Sequence, residues 1–597
     1  MSDGDGERDG DGAADPTADD AASAAPGELP ELARRRGFFF QANEAYGGVS
    51  GFYTYGPAGA ALKRNVEDAW RDRFVTREGN LEIDAPTVTP EPVFEASGHL
   101  AGFDDMIVEC GDCGAAHRAD HVVEDATDVE DAESYDTETV TDLIAEYDVA
   151  CPSCGSSLAG RRVEPFNLMF ETTIGPGSGQ PGYLRPETAQ GMFVEFPRLK
   201  EYARGQLPFG VAQIGAGYRN EISPRNALLR AREFTMAELE LFVHPEDDEP
   251  DLAAVADEVL PLYPIEEQEA EGEAYRELTV AEAVEAEFLD PWIAYYLGRS
   301  QRWFARVGVD IDRFRWRQHL PGERAHYAAD CWDGEALVAG DWVELEGVAA
   351  RTDYDLSKHA DHADERFTVF EQYDEPRRVE RPTVDPDMSA LGPAFGGDAP
   401  AVADALAELA AEDPGAFEGE TVTVAVDGEP REVPVEHTGF AVETVTESGE
   451  HVRPHVIEPA FGVGRTVYAT LAHGYERDTV DGEPRDVLRL PAEVAPTTVG
   501  VFPLMDKEGM GERARSVADD LREAGLAVTY DDAGNIGRRY RRQDEVGTPF
   551  CVTVDYETLD DDTVTVRDRD TTDQTRVPLD DLADHLRARL DGTAAGN

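Results

Sequence analysis

Lysine is nearly absent. Among 597 residues only Lys63, Lys200, Lys358 and Lys507 carry an ammonium side chain, so arginine supplies almost all of the 53 basic residues. No apolar run approaches the roughly 20 residues that a membrane-spanning helix needs. The first 28 residues, MSDGDGERDGDGAADPTADDAASAAPGE, lack the basic start and apolar stretch of a signal peptide. They read as a disordered acidic tail, 1–28. These absences predict a cytoplasmic protein with no membrane partner. Cysteine is also scarce, at six.

What is abundant is negative charge: 124 Asp and Glu, for a net charge of −71. It is spread along the whole chain. A surface dense in carboxylates keeps a protein solvated where salt screens repulsion, and the expected setting is a halophilic cytoplasm. Net charge then says nothing against a nucleic-acid partner, and local islands of arginine become the signal. Three stand out: Arg34-Arg35-Arg36, the window YRNEISPRNALLRAREF (218–234), and GRRYRR (537–542).

At this length two or more domains are expected. NVEDAWRDRFV (65–75) suits an amphipathic helix, and LEIDAPTVTP (81–90) a strand ending at prolines. Residues 106–160 hold two Cys pairs around a very acidic insert, expected to loop out. Residues 163–242 suggest an antiparallel sheet with working loops. Residues 245–310 read as helical and acidic, and 311–358 as strands. Residues 380–450 read as an insertion with a helix, ADALAELAAE, and a hairpin turning at Asp-Gly. From about 497 the pattern is β-α-β-α-β, a separate α/β domain with a parallel core sheet.

The 218–234 window sets Arg219, Arg225, Arg230 and Arg232 against Glu221 and Glu233. It predicts a strand, a loop and a second strand, with Arg219 and Glu221 on one side of the first. Arginine offers a rigid fork for phosphate, and Phe234 an apolar face for a base. A surface hairpin with structural ion pairs is the bland reading of the same residues. FGVGR (461–465) places Arg465 on a glycine turn that opens a helix, where it can reach a polyphosphate. CGDC and CPSC place Cys110, Cys113, Cys151 and Cys154 as two knuckles suited to a structural, closed zinc site. Two redox pairs, or a ribbon that has lost its metal, are the other readings. Cys331 and Cys551 are expected to be ordinary buried thiols.

LEIDAPTVTP, YRNE…RAREF and EPAFGVGR, in that order, resemble motifs 1, 2 and 3 of class II aminoacyl-tRNA synthetases, with Pro86 or Pro90 as the motif 1 proline. HRADH (117–121), RPETAQG (185–191), RNEISPRNALLRAREFTMAELELF (219–242), AHYAADCW (325–332), WVELEGVA (342–349), YDLSKHA (354–360) and VIEPAFGVGR (456–465) together resemble glycyl-tRNA synthetases of the homodimeric archaeal and eukaryotic type. The resemblance covers most of 30–475 and continues into the C-terminal domain. It implies an α+β fold. A class II antiparallel sheet flanked by helices would occupy 29–490, with a zinc-ribbon-like insertion at 106–160 and further insertions at 245–310 and 380–450. An α/β anticodon-binding domain would occupy 491–597.

The resemblance also implies the chemistry: ATP-dependent activation of glycine to glycyl-adenylate, then transfer to the 3′ end of tRNA(Gly), in a homodimer. Arg219 would hold the α-phosphate, Glu221 the adenine amino group, Phe234 the adenine ring and Arg465 the γ-phosphate. Asn220, Leu229, Arg230, Ala231, Arg232, Glu233, Leu345, Gly462, Val463 and Gly464 would line the nucleotide, and Glu344 would anchor Mg²⁺. Arg225 would face the tRNA acceptor end, and GRRYRR tRNA phosphates. Glu187, Glu238 and Glu458 would grip the glycine ammonium, with Arg118 at the substrate. Phe234, Thr235, Met236, Ala237, Pro459, Ala460, Phe461 and Gly462 would form the slot. One departure is Ala460, where the family usually has serine. Two rivals remain: a class II synthetase for threonine, proline or histidine, and an inactive nucleic-acid-binding paralogue.

Overall fold

The computed structural model describes residues 28–594 except 128, 130–131, 178, 225–226, 247–248, 271–274, 322–327, 427 and 481; the side chains of 133 and 591–594 are also undescribed. Residues 1–27 of the expected tail, Arg225, and the turn residue Asp427 therefore lie outside the described residues. The chain divides into two compact units. One comprises Met1–Leu199, Leu207–Phe367 and Pro454–Asn597; the other comprises Lys200–Gln206 and Thr368–Arg453.

Nine strands among the described residues of the first unit form one sheet. They are β1 (Leu81–Glu82), β2 (Phe209–Tyr218), β3 (Glu233–Val243), β4 (Val259–Tyr263), β5 (Arg276–Thr279), β6 (Phe314–Gln318), β7 (Asp330–Val338), β8 (Asp341–Thr352) and β9 (His455–Gly462). Their spatial order is β5-β4-β6-β7-β8-β9-β3-β2-β1. The centre is antiparallel, as expected. The β4–β6 and β2–β1 pairs are parallel, because a crossover rather than a hairpin joins them.

The crossover from β4 to β6 contains helix α1 (Pro291–Val307). Asp290 caps its start, accepting from the Trp292 and Ile293 amides at 2.8 and 3.3 Å. Pro291 occupies the first turn, and Gly308 ends the helix at φ 96°. One face of α1 buries Trp303, Phe304 and Val307 against Trp70, Phe74 and Phe461, with ring centroids 5.2–6.1 Å apart for the Phe74–Trp303 and Trp303–Phe461 pairs. A second helix, α2 (Val463–Gly474), follows β9 directly.

Three expectations are corrected. Residues 245–310 are not simply helical: β4 and β5 extend the sheet edge, their short lengths giving no clear period. LEIDAPTVTP is not one strand. Its prolines break it into β1 and a separate strand, Val88–Pro90, which joins a different sheet. The acidic insert between the Cys pairs does not loop out. Helices Ala119–Glu124 and Thr137–Glu146 bury Val122, Val123, Val140 and Ile144 against Val108, Cys110 and Cys151. These four join a small core of twelve buried residues despite the many acids around them.

The C-terminal region folds as expected and then adds to it. Val499–Pro503, Val528–Tyr530 and Phe550–Val554 are parallel, with Val499–Pro503 in the middle. Two antiparallel strands, Thr563–Asp568 and Gln574–Pro578, complete the sheet. In the second unit, helix Ala399–Glu412 packs beside the hairpin Thr421–Val426 and Glu429–Pro434. A long antiparallel pair, Val369–Thr383 with Ala441–Val452, completes that unit.

Candidate functional site

Side chains alternate between the faces of a sheet, and register decides what meets. Across the middle of this sheet Asp333, Gly347, Ala460, Glu238 and Gln213 fall in one row. Cys331, Ala349 and Glu458 form the next row. Glycine and alanine leave an open floor between acidic rims. Above that floor lies a cavity of about 230 Å³.

One end of the cavity is built from carboxylates. Glu238 accepts from the Thr188 amide at 2.6 Å and from the Thr188 hydroxyl. Glu458 accepts from Arg351 Nη1 at 2.8 Å. Arg351, 1 % exposed, also grips Asp355 through Nε and Nη2 at 2.8 and 2.9 Å. Gln190 donates to Glu187 at 3.0 Å and to Asp355 at 3.1 Å, and His99 lies 3.5 Å from Glu187. Burial pushes Glu238 up to about 7, with the Glu187 charge adding to it. Burial pushes Glu458 up to about 8, although Arg351 pulls it down. Burial would also raise Glu187, but His99 and Arg351 outweigh it and hold this carboxyl well below its ordinary range. The result is a pocket with one firmly ionised carboxylate and two poised near neutrality, suited to a small ammonium group.

The other end is cationic. Arg219 sits with its guanidinium 5.3 Å from the Phe103 ring and 5.5 Å from the Phe234 ring. Its Nε is buried and has no hydrogen-bond partner. Opposite Phe234 in register is Gly217, where a Cβ would come within 2.8 Å of the Phe234 ring; glycine there lets the ring lie against the strand. Arg465, in the first turn of α2, donates to the Leu229 and Glu344 carbonyls at 3.1 and 3.0 Å and pairs with the Glu344 carboxylate at 2.9 Å. Arg465 is the main cause holding Glu344 below its ordinary range.

Most of the expected site residues meet in this cavity: Glu187, Arg219, Glu221, Leu229, Arg230, Ala231, Phe234, Thr235, Met236, Glu238, Glu344, Glu458, Ala460, Gly462, Gly464 and Arg465 line it. Others do not. Ala237, Leu345, Phe461 and Val463 belong to the hydrophobic core, which alternation assigns to the opposite face. Pro459, Asn220 and Glu233 are also outside the lining. Arg232 is spent on the backbone, donating to Glu221 O and Ser50 O. Arg118 pairs with Asp105 at 3.3 Å and with Asp120, outside the cavity lining. Arg219 and Glu221 are not on a strand: β2 ends at Tyr218, and the Asn220 amide turns aside to the Leu168 carbonyl at 2.8 Å. Glu221 accepts from Arg230 Nε at 2.7 Å.

Sequence reasoning missed Leu228, His319, Ala328, Cys331, Asp333, Gly347 and Ala349 in the lining. It also missed the network of Arg351, Asp355, Gln190 and His99 behind it. Gln190 and Asp355 sit inside RPETAQG and YDLSKHA, where burial of a polar side chain was the signal to follow.

Away from the cavity, Cys110 Sγ lies 3.7 Å from Cys154 Sγ and Cys113 Sγ 3.8 Å from Cys151 Sγ. These contacts cross between the knuckles, against two redox pairs. Four sulfurs bound to one tetrahedral zinc at about 2.3 Å sit roughly 3.8 Å apart, so the donor set fits that ion. No helix among the described residues is long and apolar enough to cross a membrane. The GRRYRR segment lies in helix Ile536–Asp544. Arg539 is buried there, bonded to the Pro503, Asp532 and Gly534 carbonyls, and Arg542 pairs with Asp531.

Residues 178–474 match the class II tRNA synthetase core domain for glycine, histidine, proline, serine and threonine, and residues 498–589 match an anticodon binding domain. The chain is 49% identical over 570 residues to a glycine–tRNA ligase of Methanothrix thermoacetophila, covering 95% of this chain and 97% of that one. It is 47% identical over 565 residues to the glycine–tRNA ligase of Archaeoglobus fulgidus, covering 94% and 96%. Prolyl-tRNA synthetase from Cryptosporidium parvum shares the fold, with TM-score 0.51 at 12% identity over 97% of this chain and 78% of that one. With the carboxylate pocket and the arginine end of the cavity in place, these likenesses show that the chain belongs to the glycine–tRNA ligase family, a class II synthetase core followed by an anticodon-binding domain.

Proposed function

We propose that this chain joins glycine to the α-phosphate of ATP in the cavity, giving glycyl-adenylate and pyrophosphate, and that the terminal ribose hydroxyl of tRNA(Gly) then takes the glycyl group and releases AMP. The observation that carries the reading is the pairing of opposites in one cavity: an arginine with an unpartnered buried Nε at one end and three buried carboxylates at the other. The glycine ammonium would lie among Glu187, Glu238 and Glu458, leaving its carboxylate directed toward Arg219. Arg219 would hold the α-phosphate and neutralise the charge that builds as the carboxylate attacks. Phe234 would face the adenine ring, with Glu221 at its amino group and Arg465 at the γ-phosphate. No proton-transferring nucleophile is needed, because positioning and fixed charge supply the acceleration.

Mg²⁺, which class II synthetases use with ATP, would be held by Glu344, whose oxygens suit a hard cation. Bound there, it would shield the phosphate charges. Selection of glycine would rest on exclusion of any larger side chain, since glycine has no side chain to grip. Zinc in the Cys110, Cys113, Cys151 and Cys154 set would be structural. A homodimer, a cytoplasmic location and a high-salt setting complete the reading, the last supported by the net charge of −71.

Glycine-dependent exchange of pyrophosphate into ATP, measured in molar salt, tests it. Arg219→Ala is expected to lower the exchange rate by about 10²–10³-fold. Exchange that responds to threonine or proline but not to glycine would overturn the assignment of substrate.

A further inference from the structure

The cavity holds a second polar cluster with no part in the chemistry above. Cys331 and Asp333 are two apart on β7 and so share one face of the sheet. His319 follows β6, the adjacent strand, and its amide bonds to the Cys331 carbonyl at 3.0 Å. The register is therefore fixed by backbone, and all three residues line the cavity. One donor atom from each, a thiol sulfur, a ring nitrogen and a carboxylate oxygen, lies within 4.8 Å of the other two. His319 Nε2 is 2.8 Å from Asp333 Oδ2, and His319 Nδ1 is buried without a hydrogen-bond partner. Across β8 their neighbours are Gly347 and Ala349. A Cβ on Gly347 would sit 3.5 Å from Asp333 Oδ1, so glycine keeps the space beside the cluster clear.

A histidine–aspartate hydrogen bond accounts for two of these groups, and the Cys331 thiol bonds to the same imidazole. A metal ion uses all three. We propose that His319, Cys331 and Asp333 form a zinc-type metal site inside the cavity, separate from the four-cysteine set. Mixed sulfur, nitrogen and oxygen donors select a borderline ion such as Zn²⁺ or Co²⁺ over Mg²⁺. Three protein ligands leave a fourth position open, and Gly347, opposite Asp333, has no side-chain atom to fill it. The site adds positive charge to a cavity whose carboxylates outnumber its arginines.

Zinc content decides the matter without passing through aminoacylation, so failure here is distinct from failure of the activity proposed above. The full-length protein is loaded with zinc, freed of excess by gel filtration and analysed by mass spectrometry of the metal. The native chain is expected to hold about two zinc ions, and His319→Ala and Cys331→Ser about one each. Should a variant fail to fold, alkylation of Cys331 in the native protein decides alone: zinc added to chelator-treated protein is expected to slow it about tenfold. Equal zinc content in native and folded variant proteins, or a Cys331 alkylation rate indifferent to zinc, would overturn the proposal.

Discussion

Glu238 and Glu458 must lose their protons to hold an ammonium, and burial raises both, to about 7 and about 8. Glycine binding as proposed would therefore release protons near neutrality. The KM for glycine is expected to fall as pH rises through about 7 to 8 and then level, and Glu238→Gln to remove part of that dependence; a KM flat across this range would refute it. Stability runs the other way. An unfolded glutamate titrates near 4.3, so between that value and the raised ones the folded chain binds more protons. The contribution of these two groups is full below about pH 4 and is lost as pH rises through their folded values. The identities of these carboxylates were legible because each sits in a motif. Their protonation was not, because it depends on Arg351 and on burial. Nor was the exclusion of Ala237 and Phe461 from the cavity, which only the strand phase decides.

At the scale of elements, Arg351 ties β8 to β9 through Glu458 and to helix Tyr354–His362 through Asp355. Removing one partner of a buried ion pair strands the other charge. Arg351→Ala is expected to destabilise the fold by about 3–5 kcal/mol, read by chemical denaturation in high salt, and to raise the KM for glycine. The knuckle segment offers another test. Its core is small, twelve buried residues including Cys110 and Cys151, and metal binding in such a core is folding energy. Chelation is expected to open residues 106–160 to proteolysis while the large sheet stays intact, mapped by peptide mass. The antiparallel centre of the sheet and the C-terminal α/β pattern were readable from apolar period and turn residues. The edge strands β4 and β5 were not, since four or five residues give too short a pattern to separate from helix.

For the whole molecule, the question is how an anionic chain meets an anionic RNA. Two of the arginine islands are partly committed to ion pairs and carbonyls within the protein, while Arg34, Arg35 and Arg538 stay exposed. Arg34 pairs with Glu44, Arg35 and Arg36 with Glu545, and Arg539 and Arg542 bond within their own domain. A protein that neutralises phosphates with free cations loses affinity steeply with salt. Here part of that cationic surface is already paired with carboxylates, and salt also screens the repulsion. Plotted as the logarithm of affinity against the logarithm of salt, tRNA binding is expected to be shallow or rising; a slope as negative as about −5, the mark of many released counterions, would contradict it.

The Glu545 clamp has a mechanical side. Glu545 closes the helix that carries GRRYRR, while Arg35 and Arg36 end the helix Glu28–Arg36, whose Leu29, Leu32 and Ala33 are seated in the core of the synthetase sheet. The two helices lie about 510 residues apart in sequence but share one carboxylate. A tilt of the GRRYRR helix would have to break these two arginine contacts or carry the other helix with it. The clamp thus joins two helices from opposite ends of the sequence through a single carboxylate.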